Sequence, residues 1–138
     1  MRSVVIDTNA LVSFLTDRHP EQQDEVRRIF QAAVEGALRL VVPLSVLSET
    51  VFVLTKQYGI SPSAVAEVFR QLLAEPRITV GDHFLDLDDL LSLWPDSLPS
   101  FVDSLFAAAV LRNGYEFATF DQKLSRFLLD RRGRSAFR

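Results

Sequence analysis

Short apolar runs alternate along the chain with longer stretches in which apolar residues recur at helical spacing. Four runs stand out: Ser3-Val4-Val5-Ile6, Leu40-Val41-Val42, Ile78-Thr79-Val80 and Phe117-Ala118-Thr119-Phe120. Each is too short for a helix and rich in β-branched or aromatic residues, which predicts strands buried on both faces. The stretches between them predict helices with recognisable ends. From Pro20 to Gly36, the residues Val26, Ile29, Phe30 and Ala33 share one stripe, and Gly36 supplies a stop. Leu44 to Gly59 and Ser61 to Glu75 read as a helical pair, the second opened by a Ser61 cap and a first-turn Pro62. Asp86 to Trp94 reads as a short helix, and Ser100 to Asn113 as a longer one with Gly114 just beyond its end. Strands alternating with helices predict an α/β fold: a three-layer α/β/α sandwich on a short, mostly parallel sheet with right-handed crossovers.

At 138 residues the chain has the length of one domain, expected to span 1–138, and its 48% hydrophobic content excludes intrinsic disorder. It has no cysteine, which removes disulfides, thiolate nucleophiles and zinc ribbons. The two histidines, His19 and His83, are too few for a three-His zinc site, and His83 reads as a loop residue rather than a general base. Any metal would therefore be held mostly by carboxylate oxygen, which favours Mg²⁺ or Mn²⁺. No apolar run reaches the roughly 18–20 residues that span a bilayer and no signal peptide opens the chain, so the expectation is a cytoplasmic protein away from membranes. The net charge of −3 is unevenly spread. Five arginines against Asp130 make the stretch from Arg126 to Arg138 basic, and a basic, mobile tail is expected over about 130–138. Six aspartates and no lysine or arginine lie between Arg77 and Arg112.

The candidate chemistry is carboxylate chemistry. Asp7 ends the first strand and Asp121 follows the fourth. Either one reads as a helix N-cap, Asp7 for a helix starting near Leu11, or as a ligand group at the carboxyl end of a parallel strand. Glu49 falls at the margin of the apolar arc of its helix, between Phe52 and Val53, with no basic residue three or four positions away. Asp103 is the sole charge between Phe101 and Leu111, and Ser100-Phe101-Val102-Asp103 matches a capping box. Each acid has a structural explanation of its own. Together, four converging carboxylates would repel one another unless protons or cations entered, which is the arrangement of a metal-dependent phosphodiesterase. The sequence has no G-x-G loop, no Gly-x-Ser-x-Gly elbow and no Asp-x-Asp-x-Thr after the first strand, which disfavours nucleotide hydrolase, serine hydrolase and metal phosphatase readings.

Four stretches, in this order, carry a family resemblance: Val5-Ile6-Asp7-Thr8-Asn9, Ser48-Glu49-Thr50, Ser100 to Ala109, and Ala118-Thr119-Phe120-Asp121. The chain resembles the PIN-domain ribonucleases, specifically VapC-type toxins of toxin–antitoxin pairs. That resemblance implies Mg²⁺- or Mn²⁺-dependent endonucleolytic hydrolysis of single-stranded RNA leaving a 5′-phosphate. It implies that Asp7, Glu49, Asp103 and Asp121 are the catalytic, metal-binding set, with Asp7 and Asp103 the most direct ligands. Asn9 resembles the supporting polar residue after the first acid, and Thr119 the hydroxyl that helps hold a water. A homodimer and a VapB-like antitoxin are implied as partners, and the apolar surplus on residues 44–75, including Phe52, Val53, Val65 and Phe69, is either a candidate surface for them or filling for the core. Arg112, Lys123, Arg126 and the tail arginines are candidate RNA contacts, and Trp94 is either a base-stacking residue or a packing anchor. The competing reading is a non-catalytic PIN-like binding module whose acids are structural caps or a partner surface.

Overall fold

The computed structural model describes residues 2–82 and 85–137, so the reading of His83 lies outside the described residues. Five strands form one sheet: β1 (Arg2–Ile6), β2 (Leu38–Val42), β3 (Ile78–Val80), β4 (Glu116–Ala118) and β5 (Arg134–Ser135). Their order is β3-β2-β1-β4-β5, and every neighbouring pair is parallel. Seven α-helices connect them: α1 (Thr8–Leu15), α2 (Pro20–Val34), α3 (Leu44–Phe52), α4 (Pro62–Leu73), α5 (Leu87–Leu93), α6 (Phe101–Asn113) and α7 (Gln122–Asp130). A π-helical turn over Val53–Gln57 continues α3.

Strand side chains alternate between the two faces, and each face has its own apolar cover. Val4, Ile6, Leu40, Val42 and Ala118 pack against Ala10 and Leu11 of α1, against Val26, Ile29, Phe30 and Ala33 of α2, and against Val46 of α3. Val5, Val41 and Phe117 point the other way, onto Phe106, Ala107 and Val110 of α6 and Leu124 and Leu128 of α7. The result is the expected three-layer sandwich. Fully burying each large apolar side chain contributes about 1.5–3 kcal/mol, so the two half-cores hold the sheet between its helix layers.

The helix ends follow local chemistry. Ser61 Oγ accepts from the Ala64 N–H to start α4, and Gly114 ends α6 at φ 63°, a left-handed conformation that glycine adopts without strain. Three boundaries differ from expectation. Asp7 caps its helix directly, so α1 begins at Thr8 rather than near Leu11. Strand β4 stops at Ala118, because the Phe120 N–H turns aside to donate to Asn9 Oδ1.

The third difference is the tail. Arg134–Ser135 is strand β5, paired with Glu116 and Phe117 of β4, so part of the basic tail completes the sheet edge. Gly133 makes this possible: its N–H donates to Leu128 O, and a Cβ there would lie 2.7 Å from that same oxygen. Past β5, the Ala136 N–H donates to Phe117 O, and Phe137 stacks on Phe120 with ring centroids 4.4 Å apart. Among the described residues no helix is long and apolar enough to cross a membrane.

The topology fixes where a ligand belongs. From β1 the chain steps outward to β2 and β3, then returns to the other side of β1 for β4 and β5. The connections diverge between β1 and β4, and open α/β sheets bind ligands outside the carboxyl ends of strands at such a switch point.

Candidate functional site

Asp7 and Asp121 follow the two strands that flank the switch point. Asp7 is 5% exposed. As the N-cap of α1, its Oδ1 accepts from the Thr8 N–H at 2.7 Å, while its Oδ2 accepts from the Thr119 hydroxyl at 2.9 Å. Asp121 caps α7 by accepting from the Leu124 N–H at 3.0 Å through Oδ1. Capping and presentation at the cleft are thus the same geometry, since each cap leaves the carboxylate at the mouth of the sheet. Glu49 comes from α3 and Asp103 from the first turn of α6, where Ser100 Oγ accepts from the Asp103 N–H. Both are half-buried, and neither makes a side-chain hydrogen bond or ion pair with the described residues.

All four acids line one cleft of about 250 Å³, together with Thr8, Asn9, Val12, Arg18, Val53 and Gln57. Their charges are not balanced. Burial, opposed by the bonds from Thr8 and Thr119 and reinforced by Asp103 and Glu49, pushes the Asp7 carboxyl up to about 6. Burial, then Asp121 and Glu49, raise the Asp103 carboxyl above its ordinary value.

Thr119 is fully engaged inside the protein. Its hydroxyl donates to Asp7 and accepts from Asn9 Nδ2 at 3.4 Å and from the Asp121 N–H at 3.2 Å. It therefore links the two acids. Asn9 braces the same corner through its contact with Thr119 and its acceptance from Phe120 N–H.

The PIN domain family model matches residues 4–127, nearly the whole chain. The chain belongs to the PIN-domain family. No curated protein matches it. Among solved structures, this PIN domain is similar in fold to the Mycobacterium tuberculosis toxin VapC20, which cleaves the sarcin–ricin loop. The TM-score is 0.65 at 16% identity, over 89% of this chain and 93% of that one. It is also similar to a chain of Rickettsia felis VapBC2 bound to a DNA fragment from its promoter, with TM-score 0.61, 14% identity, and 91% and 92% coverage.

The donor set of this PIN domain suits a hard divalent cation: carboxylate oxygens, no thiolate, and repulsion that a cation would relieve. Thr8 Oγ1, on the same cleft, is buried without a hydrogen-bond partner. Among the described residues no three acids or histidines sit close enough to ligate one ion. Mg²⁺ needs only one or two carboxylates and keeps several waters, so the chemistry fits without a closed cage.

The basic candidates divide. Arg126 lines a depression of about 570 Å³ that shares Thr119 and Asp121 with the site. Lys123 is exposed on the first turn of α7 and is not part of the cleft lining. Arg112 is not brought to the cleft. It lies nine residues beyond Asp103, about 13 Å along α6, and pairs with Asp89 at 3.1 Å. Trp94 is a packing residue, its indole N–H donating to Pro99 O and its ring edge-on to Phe101. Arg18 was not foreseen, because nothing in Thr16-Asp17-Arg18-His19-Pro20 distinguishes it from an ordinary polar loop.

Proposed function

We propose that this PIN domain is a Mg²⁺- or Mn²⁺-dependent endoribonuclease that hydrolyses single-stranded RNA and serves as the toxin of a VapBC-like toxin–antitoxin pair. The observation that carries this reading is the set of four carboxylates lining one cleft at the switch point, unmatched by ion-pair partners. A divalent cation bound there supplies charge neutralisation and Lewis acidity toward a phosphodiester. In this reading Asp7 and Asp103 are its most direct ligands, with Glu49 and Asp121 completing the set. Thr119 and Asn9 hold Asp7 and Asp121 in place, so the two acids approach the cation without a large reorganisation. Glu49, half-buried on the cleft and without a side-chain hydrogen bond of its own, is the acid best placed to take a proton from attacking water. Arg126 and Lys123 extend the site as RNA contacts.

The antitoxin and homodimer proposals draw support from the exposed apolar residues of α3 and α4: Leu44, Val51 and Phe52, then Val68 and Leu73. Of the residues singled out in the sequence, Phe52 is 58% exposed, whereas Val65 is buried in the fold. A ribonuclease of cellular RNA acts in the cytoplasm, where we place the protein. The second reading, a non-catalytic module, draws on the caps made by Asp7 and Asp121.

Cleavage of a labelled single-stranded RNA in Mn²⁺ and in EDTA separates the two. Wild type is expected to cleave with metal alone, and Asp7→Asn/Asp103→Asn to lose activity on the order of a thousandfold. Equal cleavage by both proteins, or none by either, contradicts the nuclease reading.

A further inference from the structure

One cation, Arg18, lines the acidic cleft. Arg18 sits in the loop between α1 and α2, alongside Asp7, Glu49, Asp103 and Asp121. It makes no ion pair with any of them, whereas Arg2, Arg27, Arg70 and Arg112 each pair with a carboxylate. Neutral acceptors hold it instead. Its Nη2 donates to the Asn9 carbonyl at 2.7 Å and its Nε to Ser13 Oγ at 3.0 Å. Ser13 is fully buried and is itself fixed by donating to Gln22 Oε1 at 2.8 Å. The guanidinium is thus braced on both α1 and α2. Of its five N–H donors, which lie in one rigid plane, two are used within the protein.

A cation fixed beside four acids but bonded to none is arranged for an anion that arrives from outside. The surface leads one past it. The acidic cleft shares Asn9, Arg18 and Asp121 with a depression of about 420 Å³ that adds His19, Gln22 and Phe120. That depression shares Phe120 and Asp121 with the one lined by Arg126. The three depressions are neighbours that share these lining residues, with Arg18 on the acidic cleft and Arg126 in the third.

We infer that Arg18 is a phosphate-binding residue of the cleft, donating its remaining N–H groups to a phosphodiester of the RNA strand and so setting the strand's register against the four carboxylates. This inference rests on the ribonuclease reading. A protein carboxylate entering here would add a fifth acid to four, whereas a phosphodiester brings the reacting group, and the arginine offsets its repulsion from the acids. Arginine suits the task because its planar fork matches phosphate oxygens two at a time.

The test is binding of a short, labelled single-stranded RNA with phosphorothioate linkages, read by anisotropy across a salt series in Mn²⁺, with cleavage of the ordinary RNA measured in parallel. Arg18→Ala is expected to weaken binding about tenfold or more and to flatten the salt slope by about 0.7, the share of one phosphate contact on a single strand. Arg18→Lys should restore the slope but not the full affinity. Arg18→Gln keeps an N–H donor where Nε meets Ser13 Oγ, so it should lose the slope even if the alanine variant folds poorly. An unchanged slope in both neutral variants, whatever their affinity, shows Arg18 to be a structural brace and overturns the inference. If the neutral variants flatten the slope while no protein cleaves RNA, the phosphate site stands and the nuclease reading falls. If wild type cleaves and the neutral variants keep its slope and kcat/KM, the nuclease reading stands and Arg18 falls.

Discussion

Strands β1 and β4 lie side by side, and their two ends treat charge in opposite ways. At the amino end, Arg2 meets Glu116 through two hydrogen bonds of 2.8 Å, a bidentate pair. The guanidinium holds the Glu116 carboxyl below its ordinary value, and the carboxylate raises Arg2 in return. At the carboxyl end, one strand length away, Asp7 is buried with two other acids raising its carboxyl further and no cation bonded to it. The same two strands therefore end in a neutralised pair on one side and an uncompensated cluster on the other. Pairing of the first kind serves the fold. The second kind costs stability, and perturbed carboxylates in a cleft are a physical mark of a functional site.

The comparison breaks most visibly if Asp7 does not cost stability. Its carboxyl lies at about 6 in the fold against an ordinary value of 3.8. Below pH ~4 it is protonated in both folded and unfolded states and carries no penalty; the penalty grows as pH rises to about 6 and is constant above. Asp7→Asn keeps an acceptor for the Thr8 N–H and removes the charge. Near neutral pH it is expected to be more stable by up to about 3 kcal/mol, with the advantage gone near pH 4. Melting curves across that range check this, and a variant less stable at every pH would mean that Asp7 serves the fold alone. A smaller effect of opposite sign belongs to the other end. Glu116→Gln should lose about 0.5–1 kcal/mol near neutral pH. Because the Glu116 carboxyl is depressed, its contribution is present above its ordinary value of 4.5 and is lost as pH falls through its lower folded value. Denaturant unfolding near neutral and at acid pH should show that loss shrinking. A loss independent of pH would show that the pair acts through packing rather than charge.

Much of this arrangement was legible in the chain. Val4-Val5-Ile6 and Leu40-Val41-Val42 are buried on both faces, so their polarity pattern announces strands wherever they sit. Asp7, Asp121 and the Ser100 cap were readable because caps depend on a few adjacent residues. Strand β5 was not, since Arg134–Ser135 is two polar residues held by pairing with a strand nearly twenty positions earlier and by the Phe120–Phe137 stack. Arg112 and Arg18 fail for the same reason in opposite directions. Sequence shows that both are basic, but only the fold sends one to Asp89 and the other to the acids. Convergence of Glu49 and Asp103 with the two strand-end aspartates likewise comes from helices packed on different layers, which no local spacing encodes.

The central claim is that the carboxylates at the switch point are left uncompensated within the chain because a divalent cation completes them. Calorimetric titration of Mn²⁺ into wild type and Asp7→Asn/Asp103→Asn, near neutral pH, tests it most directly. The account predicts saturable binding by wild type that the double variant loses, with a matching rise in wild-type melting temperature alone. Saturable binding of equal strength by both proteins, or none by wild type, would contradict it.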